Sequence, residues 1–145
     1  MSKSARHKLM HALVRGSTHY GTTTRLNQVE EELGELGRCD RVEPIRRRRL
    51  LKVIHAARAI DTTLGVILDV NGISPQHGIG KRLDQLKTLA PTTRGYLEHT
   101  TVVAYRTSIA NVRNNYAHNA GAFPTSTAET EGFISEVHAC MTLIL

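Results

Sequence analysis

Leu50, Ile54, Ala57, Ile60, Leu64 and Ile67 recur at steps of three and four residues without a break. A helix turns once in about 3.6 residues, so this spacing gathers the six side chains onto one apolar face. Pro44 stands at a favourable first-turn position, with φ preset and no N–H to lose, and Asn71-Gly72 supplies a closing turn. The run is the longest element of the chain, and such a face is stable only when other elements cover it. Aromatic residues make up 4% of the chain and Trp is absent, so the covering core is built mainly from Leu, Ile, Val and Ala. That choice suits helix packing better than a sheet. No stretch alternates in the manner of a strand, and no internal repeat stands out. At 145 residues the chain is long enough for one core and too short for two. The expectation is an all-α bundle of five or six helices in one domain over residues 1–145.

The remaining helices follow from the same spacing. Residues 4–15 carry Ala5, Leu9, Ala12 and Leu13 on one face and stop at Gly16, and residues 16–23 read as a Gly, Ser and Thr loop. From Thr24, Leu26, Val29, Leu33 and Leu36 form a stripe, with Glu30, Glu31, Glu32 and Glu35 as a solvated face. Leu83, Leu86 and Leu89 or Ala90 mark a short helix from Lys81 to Ala90, ended by Pro91. Val102, Tyr105, Ile109, Val112 and Tyr116 give a further stripe. The last helix opens on a Ser126 to Glu129 capping box and continues with Phe133, Val137, Cys140 or Met141, and Ile144. Its apolar Leu143-Ile144-Leu145 end packs into the core or an interface, or continues into a longer protein.

A formal charge of +6 makes an anionic partner plausible, through counterion release from a nucleic acid or attraction to an acidic surface. No apolar run nears the ~18 residues that cross a bilayer, and Met1 to Arg6 lacks the apolar segment of a signal peptide. A cytoplasmic protein with no membrane partner is expected. Cys39 and Cys140 form no CxxC or zinc spacing and read as buried thiols. His7 and His11 are four apart but lack a third ligand nearby, so they read as exposed polar residues. No metal and no cofactor are expected. Gly78-Ile79-Gly80-Lys81 lacks the full phosphate-loop pattern and any preceding strand, which leaves Lys81 as an anion contact at a helix start.

The chemistry concentrates in Val112-Arg113-Asn114-Asn115-Tyr116-Ala117-His118-Asn119-Ala120-Gly121. The helix should stop near His118, since Asn119 and Gly121 tolerate a left-handed closing conformation and Pro124 cannot continue a helix. Asn114 and His118, four apart, share a face, whereas Arg113 and His118 point roughly 140° from one another. They converge only if the long arginine and a loosened last turn swing toward one cleft. His99, Arg106 and Arg113 are each seven apart, a cationic or titratable column suited to a phosphate backbone. Arg46 to Arg49 stand at a helix N-terminus, where cations oppose the macrodipole. They read as an RNA or phosphate contact, or as a solvated face partly paired with the preceding glutamates.

An arginine, a polar residue directly after it and a histidine four residues beyond that, near the end of a late helix in a small helical chain, resembles the HEPN superfamily. The resemblance runs from Val42 to Leu145. It takes in the long amphipathic helix, the Gly-Ile-Gly-Lys-Arg-Leu segment, the Arg-Asn-Asn-Tyr-Ala-His element and the final helix, in that order. It implies an up-and-down helical core, frequent homodimers, and metal-independent RNA cleavage with the motif in a cleft between two subunits. On that resemblance His118 transfers protons, Arg113 binds the scissile phosphate and Asn114 orients the histidine or the phosphate by hydrogen bonding. The chemistry is self-consistent, because a ribonucleotide brings its own 2′-hydroxyl nucleophile. RNA contacts are expected at His99, Arg106, Arg46, Arg47 and Lys81. The resemblance further implies a toxin or phage-defence effector, with an antitoxin or a larger defence complex as partner. In one subset a tyrosine two residues after the histidine is modified by a nucleotidyltransferase antitoxin; Ala120 occupies that position here, so that control is not expected. Three other readings stand beside the ribonuclease. One is a non-catalytic RNA-binding or dimerisation module, and one has Arg113 and His118 merely capping a helix end. The third, a DNA-binding regulator, lacks a helix-turn-helix pattern.

Overall fold

The long apolar run becomes α3 (Ile45–Val70), and the other helices are arranged around it in a computed structural model that describes residues 3–17 and 24–145. Pro44 caps its start, its carbonyl accepting from the backbone N–H groups of Arg47 and Arg48 at 3.0 and 3.1 Å. Asn71 closes its end by donating from Nδ2 to the Ile67 carbonyl at 2.8 Å, and Gly72 at φ 75° turns the chain away. Ala57, Ile60, Leu64 and Ile67 are buried as the spacing demands, while Leu50 and Ile54 near the start are only half-buried. From Ala56 onward the burial spreads beyond one stripe to Ala59, Thr63, Val66 and Leu68. The cause is position: α3 is contacted by the second, fourth, sixth and last helices, so its C-terminal half has little face left for solvent.

α1 (Lys3–Gly16) packs against α2 (Thr24–Arg38) and against the last helix. Its buried side chains are Met10 and Val14; Leu9 is 40% exposed, Ala12 is exposed and Leu13 half-buried. The expected face is therefore corrected by a rotation of the helix. Met10 and Val14 have the same four-residue spacing as Leu9 and Leu13, and Gly37 on α2 leaves room beside the face that is buried. A Cβ at Gly37 would meet His7 Nε2 at 3.0 Å, so the glycine makes the seat into which α1 turns its His7 edge. His7 and His11 are accordingly half-buried, not exposed, and His11 Nδ1 lies 3.6 Å from Glu30. Ala5 and Leu26, from the expected stripes, have side chains outside the described set, as does most of the 16–23 loop.

Val29, Leu33 and Leu36 of α2 are buried as expected. Its glutamates are less solvated than their pattern suggests: Glu32 sits 2.7 Å from His55 and 2.8 Å from Arg58, and Glu30 pairs with Arg15. A short 3₁₀ turn at Cys39–Arg41 leads on toward α3, and Lys52, only 7% exposed, is held by Asp40 at 2.6 Å and Glu131 at 3.4 Å.

α4 (Ile79–Leu86) ends four residues earlier than the leucine spacing suggests. Thr88 closes it by donating its hydroxyl to the Gln85 carbonyl at 2.6 Å, and Leu89 follows in a turn. α5 (His99–Tyr105), a π turn at Arg106–Ala110 and α6 (Asn111–His118) form one continuous helical rod. α7 (Thr127–Ile144) begins on Ser126, whose hydroxyl accepts from the Glu129 N–H at 3.0 Å, and buries Phe133, Val137, Cys140, Met141 and Ile144. Leu145 is buried, its carbonyl accepting from Arg94 Nε at 2.6 Å.

The described residues thus make six helical rods without a strand, an all-α bundle. Their buried apolar side chains, from Met10 to Leu145, form one contiguous cluster. Cys39 and Cys140 are free buried thiols, and burial pushes that of Cys140 up to about 12, which suits a packing role. Among the described residues no helix is long and apolar enough to cross a membrane.

Candidate functional site

α6 exists as the outer end of a helix whose inner turns are buried. Val112 and Tyr116 pack on the core edge, and no residue of α6 is fully buried. The helix stops after His118, where Asn119 leaves in an extended conformation (φ −106°, ψ 112°). Asn119 Nδ2 donates to Asn115 Oδ1 at 2.8 Å, and its N–H to the Asn115 carbonyl at 3.1 Å. The left-handed step falls on Gly121 (φ 80°), not on Asn119. Pro124 is buried beyond it.

On this end Arg113 is half-buried, and Asn114 and His118 are exposed. Arg113 Nη1 donates to Asn114 Oδ1 at 3.2 Å. Because α6 is regular from Asn111 to His118, Asn114 and His118 share a face and the Arg113 Cα lies roughly 140° away from His118. Around the helix Asn114 stands between Arg113 and His118. Among the described residues His118 has neither a hydrogen bond nor an ion pair.

The cationic column does not run through. A π turn carries one residue more than the α turn it replaces, so it breaks the seven-residue register between Arg106 and Arg113. Arg106 Nη1 donates instead to Asp84 Oδ2 of α4 at 2.7 Å. His99 Nδ1 lies 3.4 Å from Lys87 Nζ, which is 3.6 Å from Asp84. His99 and Arg106 therefore belong to a small charge cluster shared with α4. Lys81 is exposed in the first turn of α4 and has no such partner among the described residues.

The arginine run takes partners other than the glutamates of α2. Arg48 pairs with Glu43 at 2.6 Å and donates to the Val42 carbonyl at 3.1 Å. Arg49 donates to the Thr125 carbonyl and to Thr127 Oγ1, both at 3.3 Å. The Arg46 guanidinium lies over the Phe123 ring, 3.8 Å from its centroid, and Arg47 is exposed. The loop leaving the motif helix is thus fastened to the N-terminus of α3, which brings Arg46 and Arg47 to the same end of the bundle as His118.

A second tie went unseen in the sequence. Tyr116 donates its hydroxyl to Glu129 Oε1, while Glu129 Oε2 accepts from Thr125 N at 3.0 Å and Thr125 Oγ1 at 2.6 Å. Desolvation and this bond raise the Tyr116 hydroxyl to about 12; the hydrogen bonds from Thr125 and Tyr116 lower the Glu129 carboxyl. The capping glutamate thus reaches Thr125, one residue before the N-cap, and locks the motif helix to α7. The capping box was the available signal; its tyrosine partner had no local signature.

Between α6 and α7 lies a groove of about 660 Å³ lined by Asn111, Asn115, Tyr116, Phe133, Glu129 and Glu136, among others. Its two carboxylates make it hostile to phosphate, and neither Arg113 nor His118 lines it. Among the described residues no three His, Cys, Asp or Glu side chains are grouped to hold a metal. No family model matches the chain, and neither a curated protein nor a solved structure matches it.

Proposed function

We propose that the protein is a cytoplasmic, metal-independent endoribonuclease acting by 2′-hydroxyl transesterification. The observation that carries this reading is the state of Arg113. Its partner is the neutral amide of Asn114, not a carboxylate, so the full charge stays available to a phosphate beside an unpartnered His118. Arg15, Arg25, Arg38, Arg48, Arg58, Arg82 and Arg106 all have acidic partners, whereas Arg113 shares the lack of one among the described residues with Arg46 and Arg47 at the same end of the bundle. In the reaction the substrate 2′-oxygen attacks the adjacent phosphorus while His118 takes the hydroxyl proton. Arg113, oriented by Asn114, stabilises the added charge on the phosphoryl oxygens. The bond from phosphorus to the 5′-oxygen breaks, and a histidine from a second copy of the chain returns a proton to that oxygen. The products are a 2′,3′-cyclic phosphate and a 5′-hydroxyl.

A homodimer supplies the second histidine, and Arg46, Arg47 and Lys81 hold the RNA on either side. A toxin or phage-defence effector, restrained by an antitoxin or a larger complex, is the setting to which the HEPN resemblance points. One observation favours the non-catalytic module instead: among the described residues nothing fixes the tautomer or orientation of the His118 ring, which catalytic histidines ordinarily need. A ribonuclease assay in EDTA on wild type and His118→Ala separates the two. Cleavage lost in the variant supports the enzyme; RNA binding without cleavage in wild type supports the module.

A further inference from the structure

The Arg46 and Phe123 pair ties the loop to α3 and also leaves one face of a planar cation at the surface. Arg46 stands in the first turn of α3, where a cation opposes the helix dipole, and it has no acidic partner among the described residues. Phe123 is one of two phenylalanines in the chain. The other, Phe133, is 5% exposed in the core, whereas Phe123 is held half-exposed at the surface. The loop around it is braced: Arg49 holds the Thr125 carbonyl and Thr127, Glu129 holds the Thr125 N–H and hydroxyl, and Pro124 is buried. The result is a fixed, outward-facing planar cation on an aromatic base, with the free charge of Arg47 next to it. Phe123 follows His118 by five residues, so its Cα lies within about 18 Å of that of the histidine.

We propose that the outer face of the Arg46 guanidinium, backed by the Phe123 ring, stacks an unpaired base of single-stranded RNA near the scissile phosphate. This rests on the ribonuclease reading and adds the substrate class: a strand with splayed bases, not a duplex. Guanidinium planes and aromatic rings both take unstacked bases, whereas the bases of an A-form duplex are occupied with one another. Arg47, adjacent on the first turn, holds a phosphate of the same strand.

The test is fluorescence anisotropy with a short labelled 2′-O-methyl oligonucleotide, which presents bases and phosphates but no 2′-hydroxyl to react. The same strand with abasic positions and the matching duplex serve as comparisons. Arg46→Lys keeps the charge and removes the plane; Phe123→Leu keeps an apolar contact and removes the ring. Both should weaken binding of the base-bearing strand by about fivefold or more, the lower end of what one base stack contributes, with the salt dependence unchanged. Both should bind the abasic strand and the duplex as wild type does. Arg46→Ala, which removes the plane and the charge together, should lose at least as much on the base-bearing strand. Binding of the base-bearing strand by Arg46→Lys and Phe123→Leu within twofold of wild type overturns the proposal, as does an equal loss on the abasic strand. Since Arg46 is exposed, Arg46→Lys remains informative even where Phe123→Leu disturbs its loop. The expected pattern in a protein that fails to cut ordinary RNA sinks the ribonuclease and leaves the stack standing. Cleavage with no effect of either variant does the reverse, and no binding of the base-bearing strand by wild type at low salt overturns the stack.

Discussion

Arg113 donates to the side chain of its own neighbour, Asn114, at 3.2 Å, a link between residues set about 100° apart around α6. Asn114 is one turn from His118 on a shared face, so it stands between the arginine and the histidine around the helix. Cutting this link should change orientation without changing charge. Asn114→Ala should lower kcat roughly tenfold, about 1.4 kcal/mol of transition-state stabilisation, while the salt dependence of RNA binding stays as in wild type. An unchanged kcat, measured at saturating RNA, counts against Asn114 as the positioning group.

The bond from Tyr116 to Glu129 should be visible in titrations. Burial and the carboxylate hold the Tyr116 hydroxyl near 12, and burial does the same for Tyr105. Their tyrosinate absorbance should therefore appear later than that of a free phenol, and Tyr116→Phe should remove one late step. A phenol whose folded pKa is raised stabilises the fold below its unfolded value, near 10, and loses that contribution as pH rises through the folded value. Glu129 has the opposite sign. Its folded pKa is lowered, so its contribution is present above the usual carboxylate range and lost as pH falls through the lowered value. Glu129→Gln should lower Tm at neutral pH and make no difference in strong acid. A variant melting like wild type at neutral pH shows that the carboxylate tie adds nothing to stability.

Acid should loosen α1 before the rest of the bundle. Burial lowers the pKa of both His7 and His138. His7 faces His11 and Lys8 on α1, Asp40 ahead of α3 and Lys52 on α3; His138 faces Arg6, whose Nη1 lies 3.4 Å from its Nδ1. Only Asp40 among these favours a proton. A histidine with a depressed folded pKa stabilises the fold above its unfolded value, near 6.5, and ceases to do so as pH falls through the folded one. Amide hydrogen exchange across α1 should accelerate in that window relative to α3. The effect should shrink in a His7→Asn, His138→Asn double variant. Uniform protection in both helices across the window disproves this.

The elements legible in the sequence were those whose apolar stripe lies within the buried face, even where burial spreads beyond it. α7 buries the expected Phe133, Val137, Cys140, Met141 and Ile144, and the later half of α3 buries Ala57, Ile60, Leu64 and Ile67. α1 turns a different face inward because Leu9 and Leu13 share their four-residue spacing with Met10 and Val14, and spacing alone does not choose between two such pairs. The π turn at Arg106–Ala110 was invisible because the apolar residues keep steps of three and four straight through it. That hidden residue undid the column of His99, Arg106 and Arg113. The exposed helix end bearing Arg113, Asn114 and His118 was readable from local signals. Its surroundings were not, since Arg46 meets Phe123 and Tyr116 meets Glu129 through the tertiary fold alone.

The exposed position of His118 makes the decisive variant clean. No residue of α6 is fully buried, and among the described residues the imidazole has no partner whose loss would destabilise the helix end. His118→Ala should therefore melt within about 0.5 kcal/mol of wild type, as surface substitutions do. Its rate of RNA cleavage should fall at least 10²-fold, the lower range for loss of a general acid or base. Cleavage by wild type should persist in EDTA and leave 2′,3′-cyclic phosphate ends. A substrate with a single 2′-deoxy sugar at the scissile position should resist, because it lacks the nucleophile while keeping every phosphate that Arg113 and Arg47 can bind. Equal cutting of the deoxy substrate, or activity that EDTA abolishes and a divalent ion restores, would falsify the mechanism. A folded His118→Ala protein that cuts at the wild-type rate would remove the histidine from it.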